Sequence, residues 1–113
     1  MSSGGTPTTT IAEYWGGGIN WVSPKDFSGD TEIYSSGLSI SEDGRNTARL
    51  ELLPIGTVLL VVRSGVLAHT LPAAVLAKPA AINQDIKALK LKEGIEPKYI
   101  AYYLSVHQDF LLL

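Results

Sequence analysis

Apolar residues gather into short runs along this chain, and turn-forming residues cut the runs apart at irregular intervals. The first ten residues, MSSGGTPTTT, are rich in Gly, Ser, Thr and Pro and read as a loop or frayed end. IAEYW suits one helical turn before the glycines at 16–18 stop it, and those glycines read as a flexible turn. INWVS then alternates as a short strand with Ile19 and Trp21 on one face. Pro24 ends that strand, KDFSGDTE is turn-like, and residues 33–40 offer a weaker strand. In SISEDGRNTARLEL, Ser39 or Ser41 can cap a helix with Glu42 in its first turn, and Gly44 keeps that helix short. Pro54 and Gly56 form a turn that leads into TVLLVV, the clearest strand of the chain. Both faces of this run are apolar, which predicts a central position in a sheet. AAVLAK is the next strand, closed by Pro79, and INQDIKALKLK has an irregular start that leads into another. From Pro97 onward, Ile100, Tyr103, Leu104, Val106, Phe110 and Leu111 predict a helix. Strands and helices in mixed order, without a repeat, predict an α+β fold: a small mixed twisted sheet with short helices and a C-terminal helix.

Composition narrows this picture. A chain of 113 residues has room for one domain over residues 1–113. Its 45% hydrophobic and 18% charged residues are ordinary globular proportions, which exclude wholesale disorder. There is no cysteine, so disulfides, thiolate zinc sites and cysteine nucleophiles are excluded, and a reducing, cytoplasmic compartment is compatible. The N-terminus lacks a basic start and an apolar run, and no apolar stretch is long enough to cross a bilayer. The expectation is a soluble cytoplasmic protein with no membrane partner. The net charge of −2 is unevenly placed: residues 1–60 hold three basic residues against seven acids, residues 61–113 six against four. A polyanionic partner would therefore meet the second half.

The polar stretch RSGVLAHTLP, residues 63–72, follows the core run and places a cation and an imidazole where the strand ends. His69 and His107 are the only histidines, and neither stands at ligand spacing with a carboxylate, so no metal is expected. Ser64, His69 and Asp85 have triad chemistry, but no nucleophile-elbow pattern accompanies them, and no catalytic residue is assigned. GGG precedes a strand, with no helix after it, unlike a phosphate loop. Nucleic acid fits better: Arg63, His69, Asn83, Gln84 and Lys87 suit phosphates and base edges, arginine pairing with guanine and Asn or Gln with adenine. NQD is also explicable as turn chemistry, and on the residues alone that reading is the stronger.

Four segments then carry a resemblance. SGGTPTTTIAEYWGGGINWVSPKDF, PIGTVLLVVRSGVLAHTLPAAV, INQDIKALK and GIEPKYIAYYL occur in this order. Together, from about Ser3 to Phe110, they resemble a target recognition domain of the specificity subunit of type I restriction-modification systems. The resemblance implies a sequence-specific double-stranded DNA recognition module without catalysis. Such a module directs partner methyltransferase (modification) and restriction subunits, and needs no cofactor of its own. Trp15, Gly17, Trp21, Pro24, Gly56 and Gly65 match the scaffold of that family, while the polar side chains of the 63–72 loop, Arg63, Ser64, His69 and Thr70, carry over to DNA. Lys25 and Lys87 suit phosphates, and Asn83 and Gln84 stand evenly between structure and contact. Relative to the family pattern the chain is a partial domain, shorter at both ends. Unpaired sheet edges and the terminal DFLLL then favour a homodimer. The alternative is a protein-interaction module that keeps the scaffold and has lost DNA reading, which the acidic first half favours. On the DNA reading, Arg63→Ala and His69→Ala each weaken duplex binding and leave thermal melting unchanged. A collapse of melting in either variant would make that residue scaffold.

Overall fold

The apolar run at Val58 lies in the middle of a sheet, as its two apolar faces require. The structure, a computed structural model, describes residues 2–27, 31–62, 73–89, 94–97 and 99–100. In chain order its strands are β1 (Ser2–Ser3), β2 (Trp15–Val22), β3 (Glu32–Ile33), β4 (Leu38–Ile40), β5 (Val58–Val61), β6 (Ala73–Leu76), β7 (Ala80–Ile82) and β8 (Ile86–Leu89). One α-helix, α1 (Glu42–Thr47), follows β4, and 3-10 turns occur at Ala12–Tyr14 and Pro24–Asp26. The chain is helical again at Pro97, Tyr99 and Ile100, where the C-terminal helix is expected; the rest of that expected helix falls outside the described residues.

Two mixed sheets form rather than one. The larger runs β1-β8-β5-β6-β3, and the smaller runs β4-β2-β7. In each, one edge strand is parallel to its neighbour: β3 to β6, and β7 to β2. Leu59 stands opposite Ala74 on one side and Ala88 on the other. Because side chains alternate along a strand, Leu59, Val61, Ala74, Leu76, Ile86 and Ala88 share one face of the larger sheet. That face packs on Val22, Ala80 and Ile82 of the smaller sheet, with Ile33, Leu53 and Phe27 filling the margins. The opposite face carries Val58 and Val75, packed by Leu89 and by Ile100 of the terminal helical segment. A second small core lies within the smaller sheet, where Trp21, Ile40, Ala81 and Ile19 meet Ala48 and Leu50 from beyond α1. These mixed sheets with few short helices are the α+β class expected from the pattern. No helix of the described residues is long and apolar enough to cross a membrane.

Several local expectations change. The N-terminal serines are not a frayed end: Ser2 and Ser3 pair with Ala88 and Lys87. Residues 33–40 are not one strand but two, because the chain leaves the larger sheet at Ile33 and enters the smaller one at Leu38. AAI after Pro79 forms a buried strand of its own, where the pattern predicts only the irregular start of the next strand. GGG is not a flexible turn but part of β2, where Trp15 and Ile19 both stand opposite Ile40 and the glycines form the bulge between them. Gly17 sits so close to the neighbouring chain that a Cβ there would lie 2.2 Å from Ser41 Cα. That contact fixes the start of α1, for Ser41 is its N-cap and its Oγ accepts the Gly44 N–H at 3.1 Å. Glu42 and Asp43 in the first turn complement the helix dipole, and Arg45 pairs with Glu42 while donating to the Leu50 carbonyl at 3.1 Å.

Gly17→Ala forces β2 away from the helix cap, and we expect it to cost about 1–3 kcal/mol, the usual scale of overpacking. Urea denaturation of the two proteins measures it. An unchanged midpoint would show that the bulge and the cap move apart freely.

Candidate nucleic-acid interface

The tetrapeptide Ser23-Pro24-Lys25-Asp26 turns the chain sharply at the end of β2. Proline suits the first position of a short helical turn, since its φ is already set and its missing N–H has no helical partner to lose. Asp26 then closes the turn: its Oδ2 accepts the Ser23 N–H at 2.8 Å, and its own N–H donates to the Ser23 carbonyl at 2.9 Å. The other carboxylate oxygen accepts the Gly37 N–H at 2.8 Å, which ties the turn to the segment entering β4. Lys25 is thereby presented, exposed, from a turn braced at both ends. It makes no ion pair among the described residues.

Asn83 stands where the chain passes from β7 in the smaller sheet to β8 in the larger one. Its N–H donates to the Val22 carbonyl at 3.0 Å and its carbonyl accepts the Ile86 N–H at 3.3 Å. The side-chain Oδ1 accepts the Asp85 N–H at 2.9 Å, the self-contained turn that asparagine builds readily. Asn83 is only 7% exposed. Gln84, next along, is exposed, and its Oε1 accepts a hydrogen bond from the Thr6 hydroxyl.

These two turns meet. Lys25 and Asn83 line one groove of about 260 Å³ together with Trp21, Ser23, Pro24 and Leu38. Trp21 is the rigid wall of it: its indole N–H donates to the Gly5 carbonyl at 3.0 Å, and its ring stands edge-on to Trp15 with centroids 5.2 Å apart. A larger cavity of about 490 Å³ elsewhere includes Glu32 and Glu96 in its lining, charges that do not suit a phosphate.

The sequence-predicted residues therefore divide. Lys25 and Asn83 are brought together, with Gln84 adjacent in the chain but outside the groove lining. Lys87 is not with them. It alternates with the core-facing Ile86 and Ala88, so it lies on the face of the larger sheet turned away from the smaller one. Arg63, Ser64, His69 and Thr70 lie outside the described residues. Sequence reasoning missed Ser23 and Leu38. The Ser-Pro-Lys-Asp spacing is the signal that locates Ser23, a capping pattern with Pro inside it. Leu38 carried none, since a lone leucine in a weak strand reads as core, whereas here it is 55% exposed.

This arrangement is found in a protein of the type I restriction-modification DNA specificity domain family: residues 1–112 match that family's model, and the chain belongs to it. Among characterised relatives it is similar to the EcoR124I/EcoR124II specificity subunit of Escherichia coli, with 40% identity over 103 residues covering 90% of this chain and 25% of that protein. It is also similar to the MjaIX specificity subunit of Methanocaldococcus jannaschii, with 35% identity over 106 residues covering 92% of this chain and 23% of that one. The chain thus spans about a quarter of the length of the curated relatives it matches. The crystal structure of the HsdS subunit from Thermoanaerobacter tengcongensis shares the fold, with a TM-score of 0.62 at 21% identity over 90% of this chain and 23% of that one.

Two substitutions separate the roles of the groove residues. Lys25→Ala leaves urea stability unchanged and lowers the slope of log affinity against log salt by about one, the mark of one lost phosphate contact. Asn83→Ala instead costs about 1–3 kcal/mol of stability, because it leaves the Asp85 N–H without its acceptor. Parallel salt titrations and urea melts of both variants check this; an unchanged salt slope for Lys25→Ala would remove it from the interface.

Proposed function

We propose that this chain reads a short double-stranded DNA sequence on behalf of a type I restriction-modification system, acting in the cytoplasm and performing no chemistry itself. The observation that carries this is the family match over residues 1–112. Two features of the molecule agree with it. The groove joins a braced, exposed lysine to a buried asparagine, and the second half of the chain holds six of its nine basic residues. Lys25 and Lys87 serve phosphates, while Arg63, Ser64, His69 and Thr70, in the connection between β5 and β6, supply contacts to bases and phosphates, with Gln84 beside the groove. Residues 1–113 act as part of a target recognition domain, and the partners are modification and restriction subunits that take their address from it. A homodimer belongs to the same proposal, since β3 and β4 each have one strand neighbour among the described residues and an open edge can pair with a second copy.

Selection from a randomised duplex library, at low and moderate salt, tests the proposal. Enrichment of one short sequence is expected, with affinity that falls as salt rises. A palindromic site would be the signature of the homodimer, and an asymmetric one would argue against it. Recovery of the library without enrichment at either salt would overturn the recognition function.

A further inference from the structure

We propose that the groove of Trp21, Ser23, Lys25, Leu38 and Asn83 is a subsite for one nucleotide of the DNA backbone, in which Asn83 is a phosphate donor and not a reader of adenine. This rests on the DNA-recognition reading above. The argument begins with the asparagine amide, which has two ends. Its Oδ1 is turned to the Asp85 N–H at 2.9 Å, so the amide plane is fixed and the NH2 is the end left over. That nitrogen has no hydrogen-bond partner among the described residues. A donor on a residue only 7% exposed, unpaired among the described residues, is costly unless something else accepts from it.

What can accept follows from the inventory of the groove. Adenine readout uses both ends of an asparagine amide at once, Oδ1 taking the N6 amine and Nδ2 meeting N7. Here Oδ1 is already committed to holding the turn. The free donors are then the Asn83 NH2 and the Lys25 ammonium, and Asp26 is turned onto the Ser23 and Gly37 backbone N–H groups and the Ser23 hydroxyl. Donors without a facing acceptor select an anion rich in acceptors. Leu38 and Trp21 supply an apolar wall, and Leu38 is 55% exposed on it, which suits the carbon face of a deoxyribose beside a phosphate held by Lys25 and Asn83. Such a contact fixes the register of the protein on the duplex without reading sequence, and so leaves base discrimination to other residues.

The test uses Asn83→Asp, which keeps an oxygen for the Asp85 N–H and replaces the donor by an acceptor. The full chain and this variant are titrated against the selected duplex, and against copies carrying a neutral methylphosphonate at one backbone position each. The expected result has three parts. Asn83→Asp melts like the parent protein, it binds about tenfold or more weakly on every sequence alike, and it is indifferent to the one methylphosphonate that weakens the parent. Equal affinity in the variant, or a changed preference at a single base pair, would overturn the phosphate assignment while leaving DNA recognition standing. Absence of binding by the parent protein to any duplex would overturn the recognition reading, and this subsite with it.

Discussion

The whole fold depends on how the chain crosses from the smaller sheet to the larger between Ile82 and Ile86. Backbone polar groups at such a crossing lie beside the core, away from water, and each must find a partner. Asn83 N–H takes the Val22 carbonyl of the smaller sheet, and the Asp85 carbonyl takes the Val62 N–H at the end of β5 in the larger one, at 2.8 Å. The Asn83 side chain holds the three residues between in a single turn. The N-terminal segment is laid along the same corner: Gly5 N–H donates to the Ile82 carbonyl at 3.1 Å and Ser3 pairs with Lys87. It can pass only because Gly4 has no side chain, since a Cβ there would stand 2.0 Å from the Ile82 oxygen. One corner therefore sets the angle of the sheets, the path of the N-terminus and the back wall of the groove.

What could be read from the sequence was what is local. An apolar run marked β5, and a cap at Ser39 or Ser41 with Glu42 marked the start of α1, which falls at Ser41. The rest depends on distant partners. Two serines have no strand preference of their own, and β1 forms because β8 presents an edge to them. β7 is two alanines and an isoleucine, a weak strand by composition, and its small side chains suit a position enclosed between β2 and the core. Nothing local announces that Trp21 will lie beside Ala81, which is why one sheet was expected and two are found. The candidate site shows the same division. Lys25 and Asn83 were recognisable by chemistry, but only the fold shows that they share a groove, and only the direction of the Asn83 amide distinguishes its donor from its acceptor.

The acidic first half is a related lesson. Counted as net charge it argues against a polyanion, yet three of its seven carboxylates, Asp26, Glu32 and Glu42, are engaged within the structure. Asp26 accepts two backbone N–H groups, Glu42 pairs with Arg45, and Glu32 accepts from the Tyr34 hydroxyl at 3.2 Å. Glu42 and Asp43 also complement the start of α1. Bulk charge describes the surface poorly when the acids act as caps and clamps, and the local balance at a groove decides what can approach it.

Leu60 and Ala73 face one another across the central ladder, so β5 and β6 give the intervening segment a frame of two fixed ends. Closing a longer connection between anchored ends costs only about 0.6 kcal/mol for each doubling of its length. The frame holds on both sides: β5 is secured by β8 and β6 by β3. A lineage can therefore exchange the intervening segment, in length and in composition, while the ladder that supports it stays the same. On the proposed reading of that segment, new addresses would arise by replacing a cassette, with the burden of folding carried by the ladder.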